Sequence, residues 1–430
     1  MDNQTDNKPN FVETEKKILK WWYESGLIEK YLHRNDAAKK KFFFLDGPIT
    51  ANNPMGVHHA WGRTYKDLWQ RYKNMQGFKQ RFQNGFDCQG LWVEVEVEKE
   101  LGLKNKKDIE NLVPGDKRGS IDKFVNLCKE RVNKFSSIQT EQSKRLGYFM
   151  DWDHSYYTNS AQNNYMIWYF LKKCNDKGLL YKGHDSVPWC YRCGIAISQH
   201  EILTEDYQDL THETVYFKLP IIDMDKTSLL VWTTTPWTIP ANTAVAVNSH
   251  EIYVKVKYND EFVILMEKRY EEIKGDLGLG EVVEKMAAEK LAGLEYIAPF
   301  DDMPLSVEAK NKKPKMFHKI VSGLLKGTEL VTTDEGTGLL HVAPGAGTED
   351  FQLGQFLDLA VISLINEDAT YLSGLNEFSG LNAKIKPVII LDYVRQKDAG
   401  KYFLATRMYT HRYPVCWRCK SPLVFRVSKQ

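Results

Sequence analysis

Apolar and polar residues follow two different periods between residues 41 and 94. Residues 42–45 form a short apolar run of strand type, which ends at Asp46-Gly47-Pro48. Across residues 57–75 apolar side chains recur at spacings of three and four, which is typical of a helix, and Gly77 stands where a helix C-terminal glycine is expected. A second strand-like run ends at residues 85–87. Strand, glycine-bearing loop, helix and strand together predict a βαβ unit of the nucleotide-binding kind.

The pattern differs on either side of this unit. Residues 1–40 carry a helical apolar stripe that we expect to pack in a core. Residues 120–146 predict a long helix that Ser120 caps and Gly147 ends. Between the two Cys-x-x-Cys pairs described below, the chain turns to short strands and turns, with a hairpin signal at Asn259-Asp260. The sequence therefore predicts an α/β fold with a second, mainly β domain.

Composition and charge narrow the class of protein. A chain of 430 residues exceeds one ordinary domain, and 58 basic against 56 acidic residues leave a net charge of only +2. Any contact with nucleic acid must therefore use a local patch. No apolar run reaches transmembrane length, and the polar start is unlike a signal peptide. These features predict a cytoplasmic protein that makes no membrane contact.

Four of the seven cysteines form two Cys-x-x-Cys pairs. Cys190 and Cys193 make the first pair, and Cys416 and Cys419 make the second. In a reducing compartment such pairs indicate metal binding rather than disulfides, and two thiolates on a tight turn are typical of half a zinc site. Spacing alone leaves three possibilities open. The two pairs could share one ion, they could be half-sites with separate roles, or all four could be reduced structural cysteines.

Two further stretches carry candidate chemistry. His58 and His59 stand in the first turn of the predicted helix, where backbone N–H groups favour phosphate oxygens; two ordinary surface histidines are the simpler interpretation. Residues 232–242 (WTTTPWTIPAN) place hydroxyl groups around two prolines, which suits a small polar pocket or an ordinary turn. Residues 336–350 bring His341 and Asp350 to the two ends of a glycine-rich loop, a pairing that can orient water and anchor an ammonium group.

These strings together resemble class I aminoacyl-tRNA synthetases, most closely the isoleucyl enzymes. The matching segments are residues 47–52 (GPITAN), 56–59 (GVHH), 66–67 (KD) and 85–94 (GFDCQGLWVE). The resemblance implies that ATP with Mg²⁺ binds at Gly47, Asn52, Gly56, His58 and His59. It implies that Pro48, Asp87, Gln89 and Trp92 bind the amino acid, with Asp87 on its amino group and Pro48 against its side chain. Gln89 and Trp92 replace the usual His and Pro, and the GVHH variant leaves open which histidine meets which phosphate.

The resemblance extends to the cysteines and to the mainly β domain. In the family, two Cys-x-x-Cys pairs flank an editing insertion and hold one structural zinc, which implies a Zn²⁺ site at Cys190, Cys193, Cys416 and Cys419. The threonine-rich and glycine-rich stretches resemble the family's hydrolytic editing site, with Asp350 on the aminoacyl ammonium group and His341 as a second catalytic residue. The implied editing residues are Thr233, Thr234, Thr235, Thr238, Asn242, His341 and Asp350.

On this basis we expect an isoleucine–tRNA ligase that also hydrolyses Val-tRNA, with tRNA(Ile), isoleucine and ATP as partners and a monomeric state. The expected organisation is a helical extension (1–40), the first part of a Rossmann catalytic domain (41–182), a zinc-knuckle junction (183–200 and 410–430) and an editing domain (201–409). No KMSKS-like string is present, so we expect only the N-terminal portion of such an enzyme. Valyl- or leucyl-type enzymes, a free-standing editing hydrolase and a non-catalytic tRNA-binding module remain alternatives.

Overall fold

The computed structural model describes residues 10–198, 201–202, 207–384 and 387–430. The chain folds into two compact units, the first ending at Tyr181 and the second running from Lys182 to Gln430. Both units mix helices with strands, which confirms an α/β protein. Within the described residues, no helix is both long and apolar enough to cross a membrane.

The first unit contains six helices and four strands among its described residues. In chain order these are α1 Phe11–Glu24, α2 Leu27–His33, β1 Lys41–Leu45, β2 Ile49–Thr50, α3 Val57–Met75, β3 Lys79–Asp87, α4 Leu91–Glu100, α5 Lys117–Arg145, β4 Asp151–Tyr157 and α6 Ala161–Asp176, with a 3₁₀ turn at Lys106–Asn111.

The predicted βαβ unit is confirmed. Strands β1 and β3 pair in parallel from Lys41↔Lys79 to Leu45↔Gln83, and α3 is the crossover between them. Strands β2 and β4 also pair with β3 in parallel, so the carboxyl ends of all four strands lie at one edge of the sheet. At the end of α3, Gly77 has a φ of +78°, as a left-handed C-terminal glycine requires.

The apolar stripe of α3, however, faces outward. Val57, Trp61 and Leu68 are 87, 64 and 61% exposed, whereas Arg63 and Asn74 are buried. The buried residues of this helix are polar or charged, because its inner face meets polar groups from the sheet and from α5 rather than an apolar layer. The periodicity therefore predicted the helix but not which side of it is buried.

Two other helical predictions need correction. Helix α1 has no fully buried residue and joins the core only through the half-buried Trp22, whose ring meets Phe149 edge-on at 5.1 Å. The fully buried residues of the N-terminal stripe are Ile28 and Leu32 of α2. Helix α5 begins at Lys117 and not at Ser120, because the Asp116 carboxylate accepts the Gly119 N–H at 2.8 Å and caps the helix there. Ser120 lies inside the helix, where its hydroxyl accepts the Val113 N–H.

The second unit holds most of the strands. Its described elements are β5 His184–Cys190, β6 Ile195–Ala196, β7 Tyr207–Pro220, β8 Thr227–Thr233, β9 Ala244–Val247, β10 Ile252–Tyr258, β11 Glu261–Met266, α7 Glu267–Leu277, β12 Val282–Ala287, α8 Pro304–Lys312, β13 Lys319–Ser322, β14 Leu324–Leu325, β15 Thr328–Glu329, β16 Leu339–Val342, α9 Thr348–Leu357, α10 Val388–Gln396, β17 Phe403–Pro414 and β18 Val424–Lys429. Short 3₁₀ helices lie at Pro236–Ala241, Ala288–Lys290, Asn376–Phe378 and Lys397–Gly400.

Three of its sheets position the candidate sites. Six strands are ordered β12-β10-β11-β8-β7-β17, three are ordered β13-β9-β16, and β18-β5-β6 carries the cysteine pairs. The predicted hairpin is confirmed, because β10 and β11 pair antiparallel around Asn259, whose φ is +52°. Strand β17 runs without a break through residue 409, where the sequence predicted a domain boundary. A large apolar cluster lies between the first two sheets and buries Val231, Val245 and Leu339 completely or nearly so.

Candidate functional site

The loop between β1 and α3 forms the first candidate site. Helix α3 begins at Val57, with Gly56 as its N-cap residue. The Gly56 N–H donates to Nδ1 of His59 at 3.1 Å, so the proton of a neutral His59 ring lies on Nε2. Burial, His58 and Arg63 together lower the pKa of His59. The helix N-terminus therefore presents a neutral N–H donor from His59 beside the exposed ring of His58, whose centroid lies 3.9 Å away.

A buried charge network lies directly behind this loop. Arg63 on α3 is 1% exposed and contacts Asp46 at 2.9 Å, at the end of β1. Its other N–H groups donate to Asn84 Oδ1 on β3 at 2.7 Å and to Ser143 Oγ on α5 at 2.6 Å. Lys66 also reaches Asp46, at 2.6 Å. The network joins α3 to β3, to α5 and to the end of β1, directly before Gly47-Pro48, and was not predicted from the sequence.

The candidate amino-acid site lies at the end of β3. Asp87 accepts hydrogen bonds from the hydroxyls of Thr50 at 3.2 Å and Thr158 at 3.4 Å. Gly47, Pro48 and Gln89 are exposed and Trp92 is 45% exposed, so these predicted residues lie on an open surface of this unit. Asn52 is buried and donates to the Trp92 carbonyl at 2.8 Å, so its side chain joins the loop to the start of α4.

The second unit brings the four predicted cysteines together. The Sγ atoms of Cys190, Cys193, Cys416 and Cys419 all lie within 4.8 Å of one another. Cys193 donates its N–H to the Cys190 sulfur, and the turns continue through Gly194 and Lys420, both with positive φ. Three of the four thiols are buried. Four sulfurs on two tight turns match the donor set of a closed tetrahedral site.

The predicted threonines line one pocket with His341 and Asp350. The pocket has a volume of about 350 Å³. Its wall includes Thr233, Thr234, Thr235 and Thr238 on one side, and the loop that carries Asp350 on the other. The Thr235 N–H donates to the Thr233 hydroxyl at 3.1 Å. This bond turns the chain, and the successive threonines all line the cavity.

Hydrogen bonds occupy both ring nitrogens of His341. The Asn242 amide donates to Nδ1 at 2.7 Å, and its orientation is set because its oxygen accepts from Tyr296 at 2.6 Å. Since Thr238 donates its hydroxyl to the Thr235 carbonyl, its oxygen accepts from Nε2–H of His341 at 3.2 Å. His341 is thus a neutral Nε2–H donor that holds Thr238, and burial lowers its pKa to about 4.

Behind His341 the hydrogen bonds continue to a second histidine. His318 is buried, stacks on Tyr296 at 4.7 Å and contacts the Asn242 carbonyl with Nε2 at 3.1 Å. Its Nδ1 lies 3.2 Å from Asp301. Neither His318 nor Tyr296 was predicted from the sequence, because both lie outside the threonine-rich and glycine-rich stretches. The Asn242 amide is kept from flipping by two contacts, the Tyr296 hydroxyl that donates to its oxygen and the Ala244 carbonyl that accepts from its nitrogen, and these set the protonated nitrogen of His341.

Asp350 lies in the first turn of α9, and its carboxylate reaches back into the pocket. Its Oδ2 accepts the Ala343 N–H at 2.8 Å, while the rest of the carboxylate remains accessible to the cavity. Burial raises the pKa of Asp350 to about 6, against the opposing effect of the Ala343 N–H. A carboxylate in such surroundings gains by pairing with a cation.

Comparison with known proteins places this geometry in a family. Residues 17–411 match the family of tRNA synthetases class I (I, L, M and V). The chain belongs to this family. Isoleucine–tRNA ligases of Clostridium acetobutylicum and Pyrococcus furiosus are each 37% identical to it, over 99 and 97% of this chain and 38% of their own length. That of Sulfolobus acidocaldarius is 34% identical over 97% of this chain. This class I synthetase chain thus spans about two fifths of the length of these relatives.

Solved structures add little to that result. A chain from a ternary complex of Agrobacterium radiobacter K84 LeuRS with tRNA and LeuAMS aligns over 94% of this synthetase chain and 49% of its own. The identity is 13% and the TM-score is 0.35, so no argument rests on it.

The protonation of His341 can be tested directly in this synthetase chain. We expect the His341 ring to remain neutral, with its proton on Nε2, throughout the range above about pH 5, because its pKa is lowered to about 4. Exposed His154 is the internal control, since its contact with Asp151 raises its pKa. Nitrogen NMR of the imidazoles across pH 5–8 is the measurement. A His341 signal that titrates near pH 6.5, the ordinary histidine value, contradicts the assignment.

Proposed function

We propose that this chain is the N-terminal portion of an isoleucine–tRNA ligase and that its second unit hydrolyses Val-tRNA(Ile). The observation that carries the proposal is the pocket, in which four threonines, His341 and Asp350 surround one cavity. The identity of 34–37% to isoleucine–tRNA ligases supports isoleucine over valine or leucine as the cognate amino acid.

In the proposed editing reaction, each pocket residue has its own role. Asp350 pairs with the α-ammonium group of the aminoacyl ester, which bare tRNA lacks. The hydroxyls of Thr233, Thr234 and Thr235 hold the attacking water and the ester and exclude the larger isoleucine side chain by size. His341 keeps Thr238 in place rather than removing a proton from water, because both of its nitrogens are engaged. Water attacks the ester carbonyl, the ester bond breaks, and valine and a free ribose hydroxyl leave.

Such a second site has an energetic reason. One methylene group in a hydrophobic pocket discriminates by only ~150-fold, the known figure for isoleucine against valine in isoleucyl enzymes. A hydrolytic pocket that admits valine and rejects isoleucine multiplies that ratio.

The first unit is assigned to amino-acid activation within the whole enzyme. We assign its parallel sheet to the first half of a Rossmann-type core. ATP with Mg²⁺ binds at Gly47, Asn52, Gly56 and the two histidines, and His58 and the Nε2–H of His59 stabilise charge on the phosphates. Asp87 takes the amino group of isoleucine, Pro48 lies against its side chain, and Gln89 and Trp92 complete that site. The carboxylate then attacks the α-phosphate of ATP, and pyrophosphate leaves.

A free-standing hydrolase is the second candidate function. It is favoured by the fact that the pocket and its supporting chain of hydrogen bonds lie entirely within the second unit. Deacylation of Val-tRNA(Ile) and Ile-tRNA(Ile) by this chain tests the editing proposal, and equal rates for the two esters would contradict it. ATP–pyrophosphate exchange with isoleucine, valine and leucine, run on this chain and on any longer reading frame, separates a ligase from a hydrolase.

The cysteine cluster is proposed to hold one structural Zn²⁺. Cys190, Cys193, Cys416 and Cys419 supply four thiolates, which leaves no coordination position open for substrate. When bound, the ion joins the turn after β5 to the turn after β17, two segments far apart in the chain.

One zinc ion per chain is therefore expected on metal analysis. Cys416→Ser should lose that ion and lower the melting temperature, because a structural zinc contributes its binding energy to folding. Cys174→Ser, on α6 and outside the cluster, is the matched control and should keep the metal. Two ions per chain, or none in protein purified without chelator, would rule out a shared site.

A further inference from the structure

Next to the editing pocket lies a cluster of basic and aromatic side chains with no assigned role. Strands β7 and β17 pair antiparallel, with Tyr409 opposite His212. Because side chains alternate along a strand, Tyr409, His411 and Tyr413 share one face of β17. The two imidazoles meet there, with Nδ1 of His212 3.1 Å from Nε2 of His411. Apart from Tyr413, which is buried, these side chains are half-buried.

Lys384 completes the cluster. Nζ of Lys384 lies 4.9 Å from the centroid of the Tyr413 ring. Across the chain segments that the structure describes, no carboxylate lies within 4.0 Å of that nitrogen. Burial lowers the pKa of both imidazoles, and the positive charge of Lys384 adds to that effect. The acidic group that acts on His411 is Glu335, and it also lines the pocket.

This arrangement favours an anion. Burial lowers the pKa of Lys384 to about 8, because its ammonium group is partly removed from water without a counter-ion. An anion at this point stabilises the ammonium form and favours protonation of the hydrogen-bonded His212–His411 pair. Among the described residues, no salt bridge to a carboxylate engages Lys384, His212 or His411, so the cluster presents three basic groups to an anionic ligand.

The position of the cluster identifies the anion. Tyr413 and Trp232 line the pocket, and Trp232 also contacts Tyr409 at 5.3 Å between ring centroids. A ligand whose last ribose carries an ester into the pocket must leave its preceding phosphate at the rim. We propose that Lys384, His212 and His411 form a phosphate-binding site for the last phosphodiester of a single-stranded RNA 3′ end. The site rests on the proposed editing function, and Tyr409 offers an aromatic face beside it.

Two small probes test the site without any hydrolysis. The trinucleotide CpCpA adds two cytidines and two phosphodiesters to adenosine, so the ratio of their dissociation constants reports what these additions contribute, and removal of the Lys384 charge separates the phosphate part. For the native chain we expect CpCpA to bind roughly tenfold more tightly than adenosine, as a charge-assisted contact allows. Lys384→Met should reduce that ratio to about twofold and lower the salt dependence of CpCpA binding by about 0.7 in log–log slope. Binding is followed by NMR titration.

Three further variants keep the result interpretable. Lys384→Arg retains the charge and should keep most of the ratio, and His212→Gln should lower it independently of Lys384. Lys268→Gln, an exposed lysine of α7 that pairs with Glu251, is the matched control and should change nothing. If Lys384→Met binds both probes as the native chain does, the phosphate site is wrong while the editing proposal stands. If the native chain binds neither probe, both proposals are wrong.

Discussion

Arg63→Met is expected to destabilise the first unit by about 3–5 kcal/mol, the usual cost of removing one partner from a buried ion pair. Asp46 is buried, and loss of the guanidinium leaves it with Lys66 alone. Asn84 and Ser143 lose their donors at the same time. Since Asp46 precedes Gly47-Pro48 directly, we also expect the candidate ATP loop to lose its fixed position relative to α3.

Hydrogen exchange measures this effect without assuming that the two units unfold together. Amides of β1 and β3 should lose protection in Arg63→Met, whereas those of β9 in the second unit should not. Arg81→Met is the matched control, because Arg81 also lies on β3 but is exposed and donates to the side chain of Gln83 on the same strand. Equal protection of β3 in the two variants would show that the buried network contributes little.

The same network illustrates what sequence periodicity can and cannot predict. The bounds of α3 follow from apolar spacing, and the helix runs from Val57 to Met75 as predicted. The buried side could not be inferred, because Arg63 meets partners 17, 21 and 80 residues away. A charged residue within an amphipathic helix is ordinarily placed in solvent, and only the tertiary arrangement of β1, β3 and α5 reverses that expectation.

In the second unit, by contrast, sequence motifs predicted which side chains come together. Motif resemblance named Thr238, Asn242, His341 and Asp350, and the structure brings these residues together around one pocket or directly behind it. What the motif could not supply was the protonation of His341, since that depends on Tyr296, which lies in another part of the chain and fixes the Asn242 amide. The role of His341 consequently changes from a candidate base to a positioning donor, while Asp350 keeps the role proposed for it.

Asp350→Asn should lower the kcat/KM for deacylation of Val-tRNA(Ile) by roughly tenfold to a hundredfold, the equivalent of a charge-assisted contact of about 1.5–3 kcal/mol. The amide can still accept the Ala343 N–H, so the variant removes the charge and preserves the fold. Glu349→Gln is the matched control, since this neighbouring carboxylate is exposed, and it should deacylate at the native rate.

The pH dependence of deacylation should follow the ionisation of Asp350, if its carboxylate pairs with the ammonium group. Because the pKa of Asp350 is raised to about 6, native deacylation should fall as the pH drops through 6, while the remaining activity of Asp350→Asn should lack that step.

Stability follows the opposite direction: a carboxyl group whose pKa is higher in the folded than in the unfolded state destabilises the fold once it is ionised. Asp350→Asn should therefore be at least as stable as the native chain at pH 8, which separates lost activity from lost structure. Native and Asp350→Asn chains that deacylate Val-tRNA(Ile) equally fast at pH 8 would remove Asp350 from the editing site.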